Sequence, residues 1–122
     1  MIYVCSAQES YHIVMNQFPG ISPLTFYTSV QGAQYIANPM DVRQSFIVCL
    51  VSPGRIQPLI QEPPAALNPG CSSYYIVRDM KTGKPLADRD VVFRPDLHYD
   101  EFVLYDATRV IPLFLVECED ME

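Results

Sequence analysis

Apolar positions along the chain gather into short runs separated by proline, glycine and charged residues. Residues 1–6 form one such run, of strand length. From Gln8 onward Tyr11, Val14, Met15 and Phe18 recur at the spacing of one helix face, and Pro19-Gly20 ends the pattern. Residues 24–27 are rich in β-formers, and 32–37 suit a short helix that Asn38-Pro39 closes. Residues 45–52 are almost continuously apolar, which predicts a central strand buried on both faces, with Pro53-Gly54 as the turn after it. The stretch 55–72 carries Pro58, Pro63, Pro64 and Pro69 and little periodicity, so an irregular, partly extended loop is expected. Residues 74–78 and 91–94 read as strands flanking the turn-like Lys81-Thr82-Gly83-Lys84. Two further β runs, 101–105 and 110–116, are separated by 106–109, and an acidic tail, 117–122, follows. The pattern predicts one α+β domain over 1–122.

Composition supports a folded chain. Apolar residues make up 49% against 18% charged, enough to offset the ordering entropy that leaves polar, charged chains disordered. A net charge of -6 with no Lys/Arg cluster would repel a phosphate backbone, which argues against nucleic acid as a partner. Cys5, Cys49, Cys71 and Cys118 contain no paired CxxC half-site, so no metal is expected. Three of the four lie in apolar strand-like runs, where a reduced, buried thiol fits best. The expected setting is therefore intracellular, cytoplasmic or nuclear. No apolar run approaches a membrane span and the N-terminus lacks a signal-peptide pattern, so no membrane segment is expected.

Candidate chemistry enters at Tyr99-Asp100-Glu101-Phe102-Val103-Leu104-Tyr105-Asp106, followed by Val110, Pro112 and Phe114-Leu115-Val116. This segment resembles the last two strands of poly(ADP-ribose) polymerase catalytic domains, where a Glu follows Asn/Asp and precedes an aromatic-aliphatic-aliphatic-Tyr-Asp run. Tyr3-Val4-Cys5-Ser6 and the helix after it resemble the family's opening strand and helix. Thr25-Phe26-Tyr27-Thr28-Ser29 with Gly32-Ala33-Gln34-Tyr35 resembles the strand and helix whose aromatic rings sandwich nicotinamide, and 46–55 resembles the core strand that follows. Taken in order, the matches cover most of the chain.

The resemblance implies an ADP-ribosyltransferase-like split antiparallel β-sheet with short helices. It also implies NAD as substrate, transfer of a single ADP-ribose to an acceptor, a protein by expectation, and release of nicotinamide. Glu101 and Tyr27, or Phe26 in its place, would be the catalytic pair. Val4, Cys5, Ser6, Tyr27, Ser29 and Tyr35 would line the cofactor site, with Tyr35 as the stacking ring and Cys5 main-chain groups on the nicotinamide amide. Glu101 would steady the sugar cation that develops as nicotinamide leaves, since a fixed carboxylate favours the transition state over the ground state.

Two departures shape the alternatives. The family's ribose-binding His falls on Val4, which offers no side-chain hydrogen bond. The Ser that holds the amide falls on Gly32, with Ser29 one turn away. Long-chain polymer synthesis is accordingly the weakest expectation. A catalytically inactive domain of the same fold, binding NAD, ADP-ribose or a protein, is the alternative. An RNA 2'-phosphotransferase of related fold ranks below both, because the chain lacks Arg/His-rich phosphate handling. His98 is a candidate stand-in for the missing His, whereas His12 reads as a surface residue. Cys5 reads as a packing residue, not a nucleophile.

Overall fold

The computed structural model describes residues 1–18, 23–36, 43–87 and 92–119. The N-terminal strand β1 (Ile2–Ser6) passes directly into helix α1 (Ala7–Asn16). The Ser6 side chain accepts the Glu9 main-chain N–H at 3.1 Å, and Glu9 sits in the positive first turn, so cap and dipole both favour a helix starting here. The helix stops at Asn16 because Gln17 takes φ 63°, with its N–H returning to the Ile13 carbonyl at 2.7 Å. Termination thus precedes the expected Pro19-Gly20, which lies outside the described residues.

The helix face differs from the expected one. Tyr11 is 69% exposed, and Val14 and Met15 also face outward, whereas Ile13 is fully buried and Ser10 nearly so. The cap at Ser6 fixes the rotation of α1 as it leaves β1, and that rotation turns Ile13 to the sheet. Phe18, beyond the helix, completes the contact.

The remaining elements are β2 (Leu24–Tyr27), α2 (Val30–Ile36), β3 (Arg43–Val51), β4 (Ile56–Leu59), β5 (Ser73–Asp79), β6 (His98–Leu104), a single 3-10 turn (Ala107–Arg109) and β7 (Val110–Glu119). They make one seven-stranded sheet in the order β4-β5-β6-β2-β1-β3-β7. Every pairing is antiparallel except β4 with β5. The molecule is therefore a mixed α+β domain with few helices.

Several expectations are corrected by this order. β3 is not central: it lies one strand from the edge, and Leu50 is exposed while Phe46, Val48 and Val51 are half-buried. Its continuous apolar run reflects an open sheet face, not burial on both sides. The 55–72 loop contains β4, which pairs with β5 from Ile56↔Ser73 to Leu59↔Ile76. Residues 92–94 form no strand, because both edges of β5 are already occupied by β4 and β6. Of the supposed acidic tail, 117–119 continue β7.

One junction is unlike the rest. β1 and β2 meet at the single pair Ile2↔Tyr27, whereas β1 with β3 pairs from Ile2↔Val48 to Ser6↔Gln44 and β2 with β6 from Leu24↔Leu104 to Tyr27↔Glu101. Among the described residues no further β1–β2 pair follows, so this seam is the shortest junction in the sheet.

Strand alternation then distributes the core. On one face, α1 sets Ile13 and Phe18 against Cys5, Leu24, Phe26, Ile47 and Cys49. There Phe18 meets Tyr3 at 5.1 Å and Phe26 at 5.7 Å between ring centroids. On the other, α2 sets Ala33 against Tyr27 and Tyr99, with Val4, Ile2 and Phe46 alongside. Near the β4 edge, Leu59 and Leu67 pack on Tyr74, Ile76 and Val103. Because Phe26 is fully buried among these rings and Val14 is solvent-facing, Phe26→Ala should lower unfolding free energy by about 3–5 kcal/mol. Val14→Ala should stay within about 0.5 kcal/mol, both read from urea denaturation midpoints.

Candidate functional site

The seam gathers residues that are far apart in sequence. Ile2 faces Tyr27, and Tyr27 faces Glu101. Directly opposed residues share a sheet face and positions two apart repeat it, so Val4, Tyr27, Tyr99 and Glu101 all lie on the α2 face. The hydrophobic cluster of Tyr27, Ala33 and Tyr99 with Val4 and Ile2 agrees with that assignment. Tyr27 and Tyr99 stand with ring centroids 6.3 Å apart at a 48° tilt.

Glu101 sits inside β6, not at an exposed strand start, and is only 6% exposed. Its Oε1 accepts Arg78 Nε–H at 2.5 Å. Arg78 also donates through Nη1 and Nη2 to Glu62 at 2.5 and 2.9 Å, and through Nη1 to the Gly83 carbonyl at 2.9 Å. Gly83 holds φ 71° at the end of the turn after β5, a left-handed conformation that suits glycine and brings its carbonyl to the guanidinium.

Burial pushes the Glu101 carboxyl above the usual carboxylate range; Arg78 pulls the other way without cancelling it. Burial, followed by the nearby Glu101 charge, raises the Tyr27 phenol above its ordinary value. Glu62, well exposed, is held below the usual range chiefly by its bonds to Arg78.

The neighbouring carboxylate follows a different pattern. Asp100 points to the α1 face, where it accepts Tyr75 O–H at 2.7 Å and the Thr28 hydroxyl. Strands β5 and β6 and the residue just past β2 are thus tied together one residue away from Glu101.

Other expected site residues divide by face and by role. Cys5 is buried on the α1 face with its Sγ near the Ser45 carbonyl at 3.7 Å, and burial pushes its thiol up to about 12, which disfavours a thiolate nucleophile. Its main chain is another matter: after Ile2, no described strand pairs with β1 on the β2 side. The Ser6 and Ser29 side chains both accept helix N–H groups, Ser6 from Glu9 and Ser29 from Gly32 at 3.0 Å.

Gly32 itself is forced by close approach. A Cβ there would lie 2.8 Å from Tyr99 Cβ, so the Ser expected at that position would not fit where α2 seats on β6. Tyr35 belongs to α2, but its side chain is outside the described residues.

His98 does not stand in for the missing His. Three residues before Glu101 on the same strand, it projects from the opposite face, and its Nδ1 accepts the Arg94 N–H at 3.1 Å. His12 lies on the outer side of α1 near Asn16 and lines an open hollow with Glu9, Tyr11 and Met15; of the expected site residues, Ser6 borders this hollow, whereas Tyr27 and Glu101 do not. Among the described residues there is no group of three or more His, Cys, Asp or Glu placed to hold a metal ion, and no helix long and apolar enough to cross a membrane.

Arg78 and Glu62 were not anticipated from sequence. Arg78 was legible in principle: Tyr74, Ile76 and Arg78 repeat with period two, so a cation ends an inward-facing stripe and requires a partner. Glu62 carries no such signal within its proline-rich surroundings.

No protein-family model matches the chain, and no curated protein matches it either.

The raised Glu101 value fixes a pH dependence. A carboxyl whose folded value lies above the unfolded one stabilises fully below the unfolded value, about 4.3, and loses that contribution as pH rises through the folded value. The stability of the wild type relative to Glu101→Gln, which stays neutral, should therefore fall as pH rises from the unfolded value through the raised folded one. Chemical denaturation at a series of pH values checks the sign.

Proposed function

We propose that the chain is an NAD-dependent mono-ADP-ribosyltransferase domain with an ADP-ribosyltransferase-like split sheet. One observation carries this reading: Tyr27 and Glu101 are direct register partners, on the same face as Val4, next to the one-pair junction of β1 and β2. Three motifs read separately in the sequence share one sheet face, and the short β1–β2 junction at Ile2↔Tyr27 supports the split-sheet reading.

In this reading nicotinamide lies against Tyr27, with Tyr35 as the second ring, and main-chain groups around Cys5 take its amide. The bond between the nicotinamide nitrogen and the ribose carbon breaks, nicotinamide leaves with the bonding pair, and the sugar carbon becomes cationic. Glu101 lies buried beside that charge, where fixed electrostatics act more strongly than in water. The acceptor's nucleophilic atom then bonds to the sugar carbon and its proton is released. A protein is the proposed acceptor.

A second reading is favoured by two features of the same site. The Val4 side chain has no hydrogen-bonding group, and Oε1 of Glu101 is already engaged by Arg78. A domain of this kind could bind NAD or ADP-ribose, or a protein, without turning NAD over.

Labelled NAD incubated with candidate acceptor proteins separates the two. The transferase reading expects transfer by the wild type, a loss of about a hundred- to a thousandfold in Glu101→Gln, and a gain in Val4→His. Binding of NAD by calorimetry without transfer in any variant would support the silent module instead. Absence of both binding and transfer would contradict the NAD reading altogether.

A further inference from the structure

Arg78 joins three segments that share no local sequence: strand β6 through Glu101, the turn after β5 through Gly83, and the irregular 60–72 segment through Glu62. Its side chain is 11% exposed and that of Glu101 8%, whereas that of Glu62 is 64% exposed. An otherwise buried pair is therefore held from outside by a single surface carboxylate.

The geometry points to Glu62 as a positioning residue for Glu101: by gripping both terminal nitrogens of Arg78, it holds the Nε–H against Oε1 and makes the placement of the 60–72 segment a control on the site. A guanidinium is planar, so fixing Nη1 and Nη2 on one carboxylate also fixes the direction of Nε–H. With Oε1 so oriented, Oε2 is the oxygen presented to a ribose hydroxyl. When Glu62 lets go, Arg78 keeps only the Gly83 carbonyl besides Glu101 and can swing toward solvent. Glu101 then loses the counter-charge that opposes its desolvation. The charged and titratable groups facing Glu101 among the described residues are Tyr27 from β2, Tyr99 from its own strand, Arg78 from β5, and Glu62 behind Arg78.

What Glu101 does for a substrate rests on the transferase reading; the grip of Glu62 on Arg78 is independent of it. The decisive experiment is therefore a titration of the Glu101 carboxyl in the ligand-free protein, followed by NMR of side-chain carboxyl carbons in the wild type, Glu62→Gln, Arg78→Lys and Arg78→Met.

A bystander anion and a latch give opposite signs. Removing a merely nearby negative charge makes Glu101 easier to ionise and lowers its pKa, whereas releasing Arg78 raises it. The expected result is a rise of at least about half a pH unit in Glu62→Gln and a larger rise in Arg78→Met. Arg78→Lys, which keeps the charge but loses the fork, should fall between the wild type and Arg78→Met. A fall, or no change, in Glu62→Gln overturns the inference. Glu62 is exposed, so this variant tests it even if Arg78→Met fails to fold. A wild type without NAD turnover would sink the transferase reading and leave the titration standing; an unmoved Glu101 beside normal turnover would sink only the latch.

Discussion

Side chains directly opposed across antiparallel strands point to the same face, and a slip of one residue would turn every one of them over. The candidate site depends on that rule along β1, β2 and β6. Ile2↔Tyr27 and Tyr27↔Glu101 transmit a single face assignment over three strands, and two-residue periodicity extends it to Val4 and Tyr99. Asp100 guards the register from behind. Its bonds to Thr28 and Tyr75 on the α1 face would be lost if β6 slipped by one residue.

The two carboxylates differ in how their burial is relieved. Asp100 is met by neutral hydroxyls, Glu101 by a guanidinium. Replacing one partner of a buried ion pair leaves the other charge exposed to a low dielectric, a cost of about 3–5 kcal/mol, whereas the intact pair contributes far less to net stability. Arg78 is consequently better understood as setting where Glu101 points and when it is charged than as holding the domain together. The domain is held by Phe26, Ile47 and Ile13 on one face, and by Ala33 and its aromatic neighbours on the other.

Strands were more legible in the sequence than their neighbours in space. Residues 24–27, 74–78 and 110–116 fall within strands, and 45–52 and 101–105 overrun theirs only by Ser52 and Tyr105, because β-branched and aromatic residues cluster there. Position within the sheet was not legible. The run over 45–52 suggests a central strand, but apolar residues also line the open face next to the β7 edge. The helix face was misjudged because Tyr11, Val14 and Met15 fit the same period as Ile13, and only the Ser6 cap selects between the two stripes. For the candidate site, Tyr27, Val4 and Glu101 were named through the resemblance, and that they share one sheet face depends on register. The coupling of Glu62 to Arg78 depends on the course of an irregular segment, which neither periodicity nor composition encodes.

The most direct measurement is a titration of the isotope-labelled chain with NAD, following backbone amide chemical shifts. An NAD site at the seam predicts that the amides of Val4, Cys5, Tyr27, Thr28 and Glu101 move together with one binding curve, while those along β4 and the outer side of α1 stay in place. Shifts confined to those outer elements, or none at saturating NAD, would contradict it.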